Sequence, residues 1–102
     1  MFKAIILLKK KNEVSSEEFK NWWINDHSSK AAMLPKIRKL CFNLVENDSE
    51  KAYDGVAEQW FDSQEDFDNA YASEIGKKVA ADSISNVLKR DRLFVKEHNI
   101  VN

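Results

Sequence analysis

Glycine and proline are scarce in this chain of 102 residues, with two copies and one copy. A dinucleotide-binding fingerprint needs three glycines in a tight stretch, and a P-loop needs two beside Gly-Lys-Ser/Thr. Gly55 and Gly76 stand too far apart for either. Cys41 is the single cysteine, which excludes an internal disulfide framework and a cysteine-rich zinc site. Two histidines are too few for a catalytic zinc, which usually takes three protein ligands, so no metal is expected. No Gly-x-Ser-x-Gly elbow supports a hydrolase triad. An excess of one charge is missing too. Sixteen basic and 17 acidic residues leave a formal charge of −1, so nucleic acid is not an expected partner. The longest apolar run, Ala4 to Leu8, has five residues. A membrane span needs about 20. No membrane partner, no signal-peptide core and a cytoplasmic location are therefore expected.

Hydrophobic residues make up 43% and charged residues 32% of the chain. That suffices for one core under a solvated surface, and without repeats or linkers residues 1–102 read as a single domain. Phe2 to Lys10 has apolar residues on both alternating sets, which predicts a strand covered on both faces. Ser15 and Glu18 fit a capping box opening a helix with Phe19, Trp22, Trp23, His27 and Ala31 on one stripe. Pro35 ends it. Ile37 to Glu46 predicts a second strand, residues 47–51 a loop, and Gly55 to Phe61 a third strand. In that third strand Val56, Glu58 and Trp60 share one face, and Ala57, Gln59 and Phe61 the other. Ser63 caps a helix burying Phe67, Ala70 and Tyr71, Ser73 caps a further helical stretch, and Arg92 to Val101 predicts the last strand.

The order β-α-β-β-α-β is the ferredoxin-like pattern: α+β, with a four-stranded antiparallel sheet and helices on one face. Four strands spaced roughly 4.8 Å apart and about 20 Å long leave a second face of roughly 400 Å². That is large for a monomer to expose. A second copy packed sheet to sheet would cover it, giving a homodimeric α+β barrel. Cover by the second helical stretch and loops is the alternative.

His27 stands where the helix stripe calls for leucine. It is either a general acid or base beside a cavity, or a histidine that favours the helix C-terminus. Glu58 stands mid-strand between Val56 and Trp60. Burial would raise its pKa and suit it to proton transfer with His27, whereas a Lys or Arg on a neighbouring strand would make it an ion pair. Tyr53 and Asp54 read as a turn, and Cys41 as a small buried hydrophobe.

The opening FKAIILLKK, the helix SSEEFKNWWINDH, the Leu34-Pro35 break, YDGVAEQWFDS and the closing VKEHNIV together resemble the EthD domain family over essentially the whole chain. This resemblance implies a dimeric α+β barrel with a pocket for a small, often cyclic or aromatic, oxygenated molecule. Such families include cofactor-free isomerases, fungal decarboxylases or dehydratases, and, among barrel relatives, cyclases and quinone-forming monooxygenases. His27 matches the histidine after the tryptophan-containing helix. Glu58 and Trp60 match the Ala-Glu-x-Trp strand, and Tyr53 and Asp54 the Tyr-Asp-Gly turn. Two departures stand out. Ser28-Ser29 follows the histidine where Gly and Pro are frequent, which could extend the helix and re-aim His27. Leu40, Phe42 and Leu44 occupy strand positions that are often polar, which implies a drier pocket.

The resulting expectation is a cofactor-independent enzyme, of isomerase, lyase or oxygenase type, with a pocket between the sheet and the first helix. His27 would serve as acid or base and Glu58 as relay, with Trp23, Leu40, Phe42, Tyr53 and Trp60 against a small organic substrate. A non-catalytic carrier of a hydrophobic metabolite and a haem-binding barrel are the alternatives.

Overall fold

Alternation along the first strand decides which side of the sheet the helices take. The computed structural model describes residues 1–46 and 51–102, so most of the loop predicted over 47–51 lies outside the described residues. In β1 (Phe2–Lys10), Ala4, Ile6 and Leu8 are buried while Ile5 and Leu7 are half-buried. β2 (Lys39–Leu44), β3 (Gly55–Phe61) and β4 (Val87–Val95) complete one antiparallel sheet in the order β2-β3-β1-β4. This is the predicted ferredoxin-like arrangement. Register places Ala4 opposite Gln59, Ile6 opposite Ala57 and Leu40 opposite Gln59, so these side chains share the inner, helix-facing side. Lys3, Ile5, Cys41, Glu58, Trp60 and Leu93 share the outer side.

The last strand departs from the expectation. It begins at Val87 rather than Arg92 and ends at Val95, leaving His98, Ile100 and Val101 exposed beyond it. The run Leu88–Arg92 is nearly all charged and gives no apolar period. Its charges are matched by neighbouring groups instead. Tyr53 Oη donates to Asp91 at 2.6 Å, Lys89 lies 3.4 Å from Asp91, and the Arg92 guanidinium sits over the Phe94 ring. The second strand is also shorter than expected at both ends.

The first helical rod has three parts: α1 (Ser16–Lys20), a π-helical segment (Asn21–His27) and α2 (Ser28–Ala31). The predicted capping box forms, with Glu18 N donating to Ser15 Oγ and Ser15 N to Glu18 Oε1, both at 3.0 Å. At the far end of the π segment the Ser28 amide bonds the Trp23 carbonyl, five residues back. Ser28 and Ser29 do extend the rod, each bonding a carbonyl of the preceding turn, at Ile24 and Asp26. Pro35 and Lys36 then occupy the centre of a turn closed by Ile37 N to Leu34 O at 3.3 Å, with Lys36 at φ 62°. Two further helices, α3 (Gln64–Ala72) and α4 (Glu74–Asn86), are capped by Ser63 and Ser73 as expected.

Two buried clusters form the core. Phe61, Phe67, Leu34 and Val79 belong to one, and Trp23, Phe19, Ile6 and Leu8 to the other. The second is built on a close approach. The Trp23 ring is fully buried and lies against the Gly55 backbone, where a Cβ would come within 2.7 Å of two ring carbons. On the other side it stacks on Phe42 at 4.3 Å with an interplanar angle of 6°. Gly76 serves a similar purpose between α3 and α4, where a Cβ would meet the Ala70 carbonyl oxygen at 2.0 Å. Gly55→Ala is therefore expected to push Trp23 off the sheet and destabilise the fold by about 1–3 kcal/mol, the usual range for overpacking. Urea unfolding monitored by tryptophan fluorescence measures this, and an unchanged midpoint would refute the close-approach account.

Candidate functional site

A small chamber opens where the two core clusters meet, between the inner sheet face and the helices. Its volume is about 10 Å³, room for roughly one water molecule. The apolar part of the wall is Ile6, Leu8, Trp23, Ala31, Phe42, Ala57 and Val79. Five polar side chains also converge on it: His27, Gln59, Tyr71, Ser83 and Arg90. Buried polar groups in such a setting are normally fully hydrogen-bonded.

His27 comes from the end of the π segment. In an α-helix, residues five apart diverge by about 140° around the axis. The wider i→i−5 winding brings positions 22 and 27 to one side, and the Trp22 ring packs on the imidazole at 5.0 Å. His27 is 5% exposed, and its Nδ1 lies 2.8 Å from Asp82 Oδ2 on α4. Lys30 Nζ holds the other oxygen of Asp82 at 3.3 Å. Among the described residues no protein group hydrogen-bonds Nε2. With Nδ1–H donating to the carboxylate, Nε2 carries the lone pair.

Burial pushes the His27 pKa below its ordinary value, although the Asp82 hydrogen bond acts in the opposite direction. The imidazole is therefore neutral at pH 7. Burial also opposes ionisation of Asp82, but its hydrogen bonds to His27 and Lys30 outweigh that and hold its carboxyl below the usual range. On the opposite wall Gln59 is buried, with Nε2 at 2.8 Å and Oε1 at 3.2 Å from the Tyr71 hydroxyl. Burial raises the Tyr71 pKa, so it remains a phenol. Arg90 on β4 supplies the cation, and its Nε is buried without an acceptor.

Outside the chamber, between α2 and α4, runs a groove of about 620 Å³ lined by Lys30, Met33, Ile75, Lys78, Ala81 and Ser85. Val79 and Asp82 also line it; Val79 lines the chamber as well, and Asp82 is the partner of His27.

The structure brings together only part of the expected site. Trp23 and Phe42 line the chamber with His27. Leu40 is on the same sheet face but packs against the cluster of Ala31, Leu34 and Phe61. Glu58, Tyr53 and Trp60 are elsewhere. Glu58 projects from the outer face, where Lys3 Nζ lies 2.9 Å away and Asn43 Nδ2 donates at 3.0 Å. These bonds lower its pKa, against the raised value expected from burial. The ion-pair alternative is the one present, and no proton relay from Glu58 to His27 exists through the sheet. Trp60 lies under Lys3 and Lys39, and Tyr53 bonds Asp91. Cys41 is also on the outer face and half-buried.

Gln59, Tyr71, Asp82, Ser83 and Arg90 were not expected in the site. Gln59 carried a readable signal, being the polar residue between Ala57 and Phe61 on the face marked by the small residues Gly55 and Ala57. Helices approach a sheet most closely over such small residues. Asp82 and Arg90 reach the site from segments far away in sequence, with no local pattern to mark them.

A sequence profile described as the EthD domain matches residues 11–87. No curated protein matches the chain at a significant level. Solved structures share the fold at low identity. An EthD family protein from Bacillus halodurans C-125 superposes with a TM-score of 0.82 at 18% identity, covering 96% of this chain and all of that one. A dimeric ferredoxin-like protein of unknown function from Thermobifida fusca gives 0.74 at 15%, covering 92% and 88%. A hydroxynitrile lyase from Passiflora edulis gives 0.77 at 16%, covering 99% and 96%.

The neutral, buried His27 has a consequence for stability. Its unfolded pKa is near 6.5 and its folded pKa is lower, so between the two values the unfolded chain binds the extra proton. The stabilising contribution is fully present above pH 6.5 and is lost as pH falls through the folded value. The urea midpoint should therefore drop on acidification from pH 7, and His27→Gln should flatten that slope. Equal slopes in the two proteins would contradict a buried neutral imidazole.

Proposed function

The chain belongs to the EthD domain family, and from that membership we propose that it is a cofactor-independent enzyme moving a proton on a small, enolisable oxygenated compound, with His27 as the base. The observation that carries this reading is the 2.8 Å contact between His27 Nδ1 and Asp82 at the wall of a chamber. Neutral His27 presents a basic Nε2 at pH 7. It removes a proton from carbon next to a carbonyl and becomes imidazolium. Asp82 then faces a full positive charge across a short hydrogen bond, and this offsets the cost of charging a buried ring. The imidazolium returns the proton to another carbon, which isomerises the compound, or to a leaving group, which cleaves it.

The chamber holds about one water as it stands, so substrate must enlarge it. The groove between α2 and α4 is a route for this, since Val79 lines both spaces and Asp82 on the groove wall bonds His27. Trp23, Phe42 and Val79 would then close around the substrate and exclude water, strengthening the field of the His27–Asp82 pair. The lyase activity named for the Passiflora edulis protein is compatible with chemistry of this kind on the same fold.

We further propose a homodimer packed through the outer sheet face. Its alternation of Ile5, Leu7, Val56, Leu93 and Val95 with internally paired charges supports this, as does the dimeric state named for the Thermobifida fusca protein. The charges on that face are paired within the chain, including Lys3 with Glu58 and Lys89 with Asp91, which lowers the cost of covering them.

Two experiments test these readings. Native mass spectrometry should give twice the chain mass, and Leu93→Glu, at a half-exposed outer position, should shift the population to monomer. A monomeric wild type would refute the sheet-to-sheet pairing. For the chemistry, a panel of cyclic ketones and lactones in D₂O is followed by NMR, with any compound extracted from the purified protein added to the panel. The protein should accelerate deuterium incorporation next to the carbonyl, and His27→Gln should slow it by roughly 10²–10⁴, the usual range for a lost general base. Exchange that persists unchanged in the variant would remove His27 from the mechanism.

A further inference from the structure

Arg90 is out of place in this chamber unless something anionic joins it. It projects from β4, opposite Leu8 in the register, onto the inner sheet face. Its Nε is buried and has no hydrogen-bond acceptor. Among the described residues no carboxylate comes within 4.0 Å of the guanidinium. Asp82, the acid nearest the site, is already held by His27 and Lys30, and the neighbouring Asp91 points to the outer face, where Tyr53 and Lys89 occupy it. Gln59 and Tyr71 hydrogen-bond one another, and the neutral Tyr71 hydroxyl also faces the Arg90 guanidinium but brings no opposite charge. A guanidinium facing a low-dielectric chamber without a counter-ion is unfavourable, because desolvation is not repaid by an opposite charge.

Arginine is also the side chain best matched to a planar pair of oxygens, since its donors form a rigid fork. We propose that Arg90 is an anion subsite of this chamber and that the physiological ligand is a small organic carboxylate. Its carboxylate would sit on the Arg90 fork, and its apolar body against Trp23 and Phe42. The inference rests on the proposed use of the chamber, and it adds the substrate class. It also gives the site a division of labour. Arg90 anchors one end of the ligand and His27, on the helical wall facing the sheet, works at the other. Because the chamber has room for about one water, a bound carboxylate must widen it. The groove beyond carries Lys78, which favours the approach of an anion, and Lys30, which is paired with Asp82.

The test compares acetate and benzoate with acetamide and benzamide, which keep the shape and lose the charge. Binding is followed by NMR shifts of the Arg90 Nε–H and the Trp23 indole. At least one carboxylate should bind more tightly than its amide by roughly tenfold to a hundredfold, the range for a hydrogen bond to a charged group. Arg90→Gln should remove that preference and leave the melting temperature equal or higher, since an uncompensated charge has gone. His27→Gln should leave the preference intact, so a failure of the proposed chemistry is distinguishable from a failure of the anion subsite. Equal affinity for acid and amide, a preference that survives Arg90→Gln, or absence of binding by either carboxylate would each overturn the assignment.

Discussion

Everything in the chamber depends on a tryptophan ring laid flat over backbone that has no side chain. Trp23 is fixed between Gly55 and Phe42, and its burial is complete. An aromatic ring of this size buries on the order of 150–250 Å². At about 25 cal/mol per Å² that corresponds to some 4–6 kcal/mol as an upper bound. This is enough to dictate how the first helical rod sits on the sheet. Once Trp23 is anchored, the winding of the next turn decides where His27 goes. The π-helical segment takes up that winding. It sets His27 beside Trp22 and within reach of Asp82, at the expense of regular α-helical bonds.

The polar groups of the site stand at the junction of two hydrophobic clusters, where their desolvation is most expensive. Gln59 and Tyr71 satisfy one another, and so do His27 and Asp82. Arg90 Nε does not share in either pair, and Trp22 Nε1 next to His27 is likewise without an acceptor. A core built for stability alone would place leucines at these positions. α4 has a special standing here, since it supplies Val79 and Ser83 to the chamber, Asp82 to His27, and Val79, Ala81, Asp82 and Ser85 to the groove. Any motion of α4 away from α2 changes the volume of the chamber and the His27–Asp82 contact together. Under the proposed function, ligand entry and activation of the base would be coupled through this one helix.

Much of the fold is legible in the residues, and the reasons are local. The Ser15–Glu18 capping box, the serine caps at Ser63 and Ser73 and the alternation in β1 each depend on interactions within a few residues. β4 starts earlier than its apolar pattern suggests because its charged residues are matched by groups that no local period marks. Asp91 is matched to Tyr53, and Arg92 to the rings of Phe67 and Phe94. The same distinction governs the site. His27, Trp23 and Phe42 announce themselves by period, as a histidine in an apolar stripe and apolar residues at alternate strand positions. Glu58 announces itself equally well but on the wrong side. A polar residue in an otherwise apolar strand signals a constraint without saying which face carries it, and here an outer-face ion pair with Lys3 is the constraint. Gly55 and Ala57 carry the missing information, because small residues mark the face a helix must approach.

The alternation of strand faces therefore divides this chain into two regions with different chemistry. On the inner face Gln59 and Arg90 line the small chamber, and Arg92 lies over the Phe67 and Phe94 rings. On the outer face lysines, carboxylates, Tyr53 and Asn43 neutralise one another in pairs between aliphatic residues. Such pairing leaves little net charge to desolvate, so the outer face can be covered without unpairing any group. The chamber has the opposite property, since one cation there is left uncompensated. A surface already balanced within the chain suits permanent contact with a copy of itself, whose charges would be the same. An unbalanced interior suits a ligand that arrives, supplies the missing charge and leaves. With identities of 15–18% to proteins of the same fold, side chains at most positions are free to differ. What a new member of such a fold binds is then written chiefly in the few interior residues whose polarity the fold itself does not require.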